Sequence, residues 1–204
     1  KVAEFEKNFK KTLKSKYALA VTSGTAALRV AIAALNLKNG DEIITQSFTF
    51  VATIEAILES GCKPKVVNID NTLNLDPLEL KKKITSKTKA IIVVHMLGTP
   101  AKMSEIIKIA RAKKIKVIED TAWGCGGRYG SKYLGTIGDI GTFSFDHAKA
   151  MTTGEGGMLL FNNKNFFLKA KAWHDHGHED NKRFPRWKDT RKSHGFNFRM
   201  NELQ

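Results

Sequence analysis

The chain has 204 residues and a mass of 22.7 kDa, room for one large domain or two small ones. Its 42% hydrophobic and 26% charged residues set aside global disorder, and no apolar run approaches the roughly 20 residues of a membrane span. Lys+Arg outnumber Asp+Glu by 34 to 20, giving +14 and a pI near 9.8.

The basic residues are scattered over 10–16, 81–89, 102–116 and 182–192. No helix carries a basic block interleaved with stacking aromatics, so solvated faces are favoured over a nucleic-acid surface. A positive field would still draw phosphorylated ligands. Residues 1–16 are charged and amphipathic, unlike a secretory leader. Cys62 and Cys125 are too few for a disulfide scaffold and lack metal-ligand spacing. They read as small buried residues in a reducing, cytoplasmic setting.

In chain order, Val2, Phe5, Phe9 and Leu13 recur every three to four residues and predict an amphipathic helix. Residues 18–21 read as a short apolar strand, broken by Ser23-Gly24-Thr25 before a strong helix over 26–35. The Asn39-Gly40 turn leads to a strand over 42–46, a helix over 50–59 closed by Gly61, and a strand over 64–70. Asp76-Pro77 opens a helix to about residue 84, with proline in the first turn. Residues 90–95 form a buried strand, 103–113 a helix with Ser104 as a candidate cap, and 116–120 another buried strand.

The alternation predicts an α/β fold with a mainly parallel mixed sheet. Glycines 124, 126, 127, 130 and 135 then mark a connection, followed by strands at 141–145 and 157–161 and a helix over 165–172. Residues 175–192 are polar, rich in His, Arg and Lys, and read as a long loop of the kind that is usually functional or mobile. Residues 201–204 look like the start of a helix with no cap or stop signal, and the expectation is either a fragment or a chain cut inside a helix.

Three features carry chemistry. Ser23-Gly24-Thr25 lies between a strand and a helix, whose free N–H groups suit a phosphate; taken alone the signal is weak, and a helix cap plus tight turn is the favoured reading. Asp120 ends a buried strand, where ligands collect in open α/β sheets; alone it could equally be a structural hydrogen-bonder. Lys149 lies between an aromatic strand and a Thr/Gly turn, and a lysine by itself is usually just solvated. Together, a phosphate cradle, a strand-end carboxylate and a lysine after the next strand are the groups that pyridoxal phosphate requires.

With these in place, the chain resembles the DegT/StrS family of sugar aminotransferases, among the fold-type I pyridoxal phosphate enzymes. The resemblance runs through residues 17–28, Gly40-Asp-Glu-Ile-Ile44, Ser47-Phe-Thr-Phe-Val-Ala-Thr53, Val94-His-Met-Leu-Gly98, Val117-Ile-Glu-Asp120, residues 138–145, Thr152-Thr-Gly-Glu-Gly-Gly157 and Gly195-Phe-Asn-Phe-Arg199, in family order. It implies a three-layer α/β/α large domain over 1–204, with the family's small C-terminal domain absent. It implies that Gly24, Thr25 and Ser144 hold the cofactor phosphate and that Phe50 stacks on the pyridine face. Asp120 would partner the pyridine nitrogen, and Lys149 would form the Schiff base and move the substrate proton. Asn197 would reach a neighbouring subunit's phosphate, in a homodimer with shared sites.

Trp123 departs from the pattern. The family often has Gln or His there, bonded to the cofactor's phenolic oxygen, whereas indole donates one hydrogen bond and changes the pocket. His174, His176 and His178 suggest a metal by type, but the family usually carries His-Gly in a loop near the substrate, so no metal is expected. Residues 175–179 and Ser144-Phe-Asp146 are similar to members that aminate octulosonates of lipopolysaccharide.

The function implied is transfer of an amino group, with glutamate as donor, to a keto-sugar for cell-surface polysaccharide or lipopolysaccharide. Two alternatives stand beside it. In the family's sugar dehydratases histidine replaces the lysine; here His147 is close, but Lys149 holds the matching position. A non-catalytic regulatory relative would account for the basic charge and Trp123, but sits poorly with intact Asp120, Ser144 and Lys149. Neither a membrane nor a nucleic-acid partner is expected.

Overall fold

The structure is a computed structural model that describes residues 1–191 and 193–204. Lys192, the end of the expected polar loop, lies outside the described residues. The elements are α1 (Val2–Thr12), β1 (Tyr17–Val21), α2 (Gly24–Leu35), β2 (Glu42–Gln46), α3 (Val51–Glu59), β3 (Lys63–Val67), α4 (Pro77–Lys83), β4 (Thr88–Val94), α5 (Met103–Ala112), β5 (Lys116–Asp120), β6 (Arg128–Tyr129), β7 (Lys132–Tyr133), β8 (Ile140–Ser144), β9 (Gly157–Phe161) and α6 (Lys164–Trp173).

Seven strands form one sheet in the order β1-β9-β8-β5-β4-β2-β3. The pairs β2–β3, β2–β4, β4–β5 and β5–β8 are parallel, and β9 runs antiparallel between β8 and β1. The mainly parallel mixed sheet is the one the sequence predicts. Both faces are covered, which is why its central strands read as nearly continuous apolar runs.

Alternation along each strand divides the core. Ala90 and Ile92 of β4 point into the layer of α2, α3 and α6, with Ala31, Ile57 and Ala170. Ile91 and Val93 point the other way, toward Leu80 of α4 and Met103 and Ile106 of α5. The amphipathic α1 places Phe9 against Phe143 and Phe145, with edge-on ring contacts at 5.1 and 5.6 Å. Register aligns Val94 with Asp120 and Asp120 with Thr142, so three parallel strands present their carboxyl ends together.

Three local expectations need correction. β3 stops at Val67, not residue 70, because Asp70 Oδ1 accepts the Thr72 N–H at 2.8 Å and the chain turns back to bridge Ile69 to Leu75. Ser104 does not cap α5; Lys102 occupies the N-cap position, with no side-chain bond, and Ser104 lies inside the first turn. Residues 201–204 form a bend, in which Asn201 Oδ1 accepts the N–H groups of Leu203 and Gln204.

Candidate active site

Seven of the eight residues singled out by the sequence line one cavity of about 300 Å³: Gly24, Thr25, Phe50, Asp120, Trp123, Ser144 and Lys149. They come from the start of α2, the start of α3, the end of β5, the end of β8 and the loops after those two strands. The cavity therefore sits at the carboxyl ends of the parallel strands, where no neighbouring element fills the space.

One wall is a cradle of donors. Ser23 caps α2 by accepting the Ala26 N–H at 3.1 Å, which leaves the N–H groups of Gly24 and Thr25 at the helix entrance without intrahelical partners. Gly24 packs against β8 so closely that a Cβ there would lie 2.7 Å from Ser144 Cβ. The missing side chain brings helix entrance and Ser144 hydroxyl together, an arrangement suited to an anion.

The floor holds Asp120. Its Oδ1 accepts the Ala122 N–H at 3.2 Å and its Oδ2 accepts the Thr53 hydroxyl at 3.1 Å. Burial pushes its pKa above the ordinary carboxylate value; the bonds from Ala122 and Thr53 and the nearby His95 and Lys149 act in the opposite sense. A carboxylate kept here against desolvation is a group awaiting a cation or an N–H donor.

Lys149 lies in the turn after β8, where its N–H donates to the Asp146 carbonyl at 3.0 Å. Its ammonium lies over the Trp123 ring, 3.8 Å from the centroid. Phe50, at the N-cap of α3 and 67% exposed, stands on the rim.

Asn197 is not among the cavity residues. It is exposed and bridges the backbone of Asp175. Asp175 anchors the expected loop: Arg186 binds both of its oxygens and Arg199 binds one. Burial opposes its charge, but Arg186 and Arg199 outweigh that and hold its pKa at about 2. The three histidines of this region do not converge. His174 Nδ1 faces the Lys171 carbonyl, His178 bonds Asp189 and Arg191, and His176 joins neither.

Sequence reasoning passed over the groups behind the floor. Thr49 and Thr53 form a hydroxyl pair, 2.8 Å apart, beside Asp120. Thr49 lies just before α3 and Thr53 in its first turn, and no local sequence signal marks the pair. Glu119, fully buried, accepts the N–H groups of Gly135, Ile137 and Gly138 and faces His95 Nε2 at 3.0 Å. His95 Nδ1 accepts the Ala101 N–H, so the ring proton sits on Nε2 and is donated to Glu119. Gly135 has φ +81, a conformation side chains rarely adopt, which turns the chain back over Glu119.

This architecture is that of the fold-type I transferase large domain. The chain belongs to the DegT/DnrJ/EryC1/StrS aminotransferase family, whose profile matches residues 1–204. A GDP-perosamine synthase of Escherichia coli O157:H7 is 38% identical over 203 residues, 99% of this chain and 54% of that protein. An aminotransferase from Psychrobacter cryohalolentis superposes with a TM-score of 0.93 at 38% identity, over 99% of this chain and 53% of that one. An E. coli GDP-4-keto-6-deoxy-D-mannose-3-dehydratase with bound hydrated PLP superposes at 0.90 with 33% identity, over 97% and 56%. The chain spans about half the length of the curated relatives it matches. Among the described residues, no helix is long and apolar enough to cross a membrane.

Proposed function

We propose that this chain is the cofactor-binding part of a pyridoxal phosphate-dependent aminotransferase that passes an amino group from glutamate to a keto-sugar, in the biosynthesis of a cell-surface polysaccharide. The observation that carries the reading is the convergence of an anion cradle, a buried carboxylate and an amine on one cavity of about 300 Å³, the lower end of the range for small-molecule sites.

These residues fit the cofactor chemically. The N–H groups of Gly24 and Thr25 and the hydroxyls of Thr25 and Ser144 are donors for its phosphate. Phe50 offers a ring face at the rim. Asp120, buried and acceptor-only when charged, suits a protonated pyridine nitrogen. When bound, pyridoxal phosphate supplies an electron sink that lets a Cα–H bond break. Lys149, which lines the cavity, would attach the cofactor through Nζ and, as a free amine, would take up the proton of the donor's Cα. Trp123 gives that amine a resting place inside the cavity.

The acceptor is a keto-sugar by kinship with the GDP-perosamine synthase, and a nucleotide-linked one fits the positive charge of the chain. Asn197, exposed and outside its own cavity, is free to serve a second copy, which supports a homodimer with shared sites. A dehydratase is the second reading, motivated by the superposed E. coli enzyme. It is disfavoured because Lys149 lines the cavity, whereas the nearby His147 is exposed and pairs with Asp146 at 3.2 Å.

The test is Lys149→Ala. Loss of the glutamate-driven change in cofactor absorbance, with the circular dichroism unchanged, is the expected result. Turnover surviving in the variant would remove Lys149 from the chemistry.

A further inference from the structure

We propose that Thr53, backed by Thr49, is a positioning residue that holds the Asp120 carboxylate ionised and aimed into the cavity. The inference deepens the reading of Asp120 given above and rests on it for its functional consequence, though the hydrogen-bond chain exists independently of it.

Thr53 Oγ1 lies 3.1 Å from Asp120 Oδ2, and Thr49 Oγ1 lies 2.8 Å from Thr53 Oγ1. Each hydroxyl has a single hydrogen to give. With Asp120 charged, Thr53 donates to it, so Thr49 is the donor in the 2.8 Å contact with Thr53, which is shorter than its 3.4 Å approach to the Phe50 carbonyl. The two hydroxyls then point the same way, toward the carboxylate, and each polarises the next. Thr53 is fully buried, so its hydroxyl requires a hydrogen-bond partner, and the partner it has is Asp120.

That neighbour is under strong pressure to lose its charge. Burial raises the Asp120 pKa, and the bonds to Ala122 and Thr53 resist it. The Ala122 bond comes from the backbone. Among the described residues, Thr53 supplies the side-chain hydrogen bond to Asp120. The charged or titratable groups facing Asp120 are His95, just beyond β4, and Lys149, in the loop after β8; α3 contributes the Thr53 hydroxyl. His95 is already bonded to Glu119, and Lys149 rests on Trp123. Neither makes the direct contact that Thr53 makes.

The experiment is an NMR titration of the aspartate carboxyl carbons in the cofactor-free protein, with the Asp120 signal assigned by its loss in Asp120→Asn. Thr53→Val is expected to raise the midpoint of that signal by about one pH unit, Thr53→Ser to restore it, and Thr49→Val to raise it less. A midpoint unchanged in Thr53→Val overturns the proposal. Should that variant not fold, Thr49→Val, at the edge of the cavity, carries the test, and an unchanged midpoint there overturns it equally. A second arm adds pyridoxal phosphate: Thr53→Val is expected to bind about tenfold more weakly, with rescue by Thr53→Ser. Failure of the wild-type chain to bind pyridoxal phosphate would count against the proposed function, while the carboxyl titration still decides the role of Thr53.

Discussion

The Lys149 ammonium stands 3.8 Å from the centre of the Trp123 ring, so the residue found where Gln or His was expected is the one on which this lysine rests. A cation over an indole face gains about 0.5–2 kcal/mol, most where water is excluded. Trp123 is 41% exposed, which places the contact at the lower part of that range. The indole thus takes a role in the cavity different from the hydrogen bond that Gln or His would make.

This contact gives an optical prediction. Trp123 lines the cavity, while Trp173 packs on Phe196 and Phe198 and Trp187 is exposed elsewhere. Pyridoxal phosphate should quench the tryptophan emission of the wild-type chain, and Trp123→Phe should abolish most of that quench. Its affinity should fall only about two- to fivefold, since phenyl keeps a weaker cation–π face. Equal quenching in both proteins would place the cofactor away from Trp123.

Gly24 is a steric requirement. A Cβ at that position would lie 2.7 Å from Ser144 Cβ, which is anchored on a central strand. Gly24→Ala should force α2 away from β8 and cost about 1–3 kcal/mol in urea denaturation. It should also weaken pyridoxal phosphate binding, because the cradle opens. Unchanged stability and binding would mean that the helix entrance has slack the structure does not show.

The Asp175 clamp predicts a pH dependence. Its pKa falls from the ordinary 3.8 to about 2 in the folded chain. The unfolded chain therefore binds the proton more readily, and the clamp's stabilisation is fully present above about pH 4 and lost as pH falls toward 2. Asp175→Asn should lower stability at pH 7 by on the order of 1 kcal/mol, because both arginines are partly open to solvent. Its thermal unfolding should also lack that part of the acid dependence between pH 4 and 2. Parallel curves for variant and wild type over that range would contradict the assignment.

The sheet was legible because its central strands are buried on both faces and read as short apolar runs: residues 42–46, 116–120 and 157–161 were placed to the residue. Of the eight chosen site residues, Gly24, Thr25, Asp120 and Lys149 were read through their setting, such as a helix entrance or a strand end, and Phe50, Trp123, Ser144 and Asn197 through the family resemblance. Seven meet in one cavity because a parallel sheet gathers its strand ends on one side. What stayed hidden depends on side-chain pairing across distant elements. Thr53 and Asp120 are 67 positions apart, and His95 meets Glu119 across 24. A threonine in a helix and a glutamate beside an aspartate carry no local mark of such partners. β3 was overextended for a related reason: apolar Ile69 reads as strand, but the Asp70–Thr72 turn gives the backbone a local alternative.

The most direct test of the central claim is a visible absorption spectrum of the chain with pyridoxal phosphate, before and after glutamate, followed by borohydride reduction and peptide mapping. The account predicts a yellow band that glutamate bleaches, and a reduced cofactor fixed on Lys149. A cofactor fixed on another lysine, or a band that glutamate leaves untouched, would contradict it.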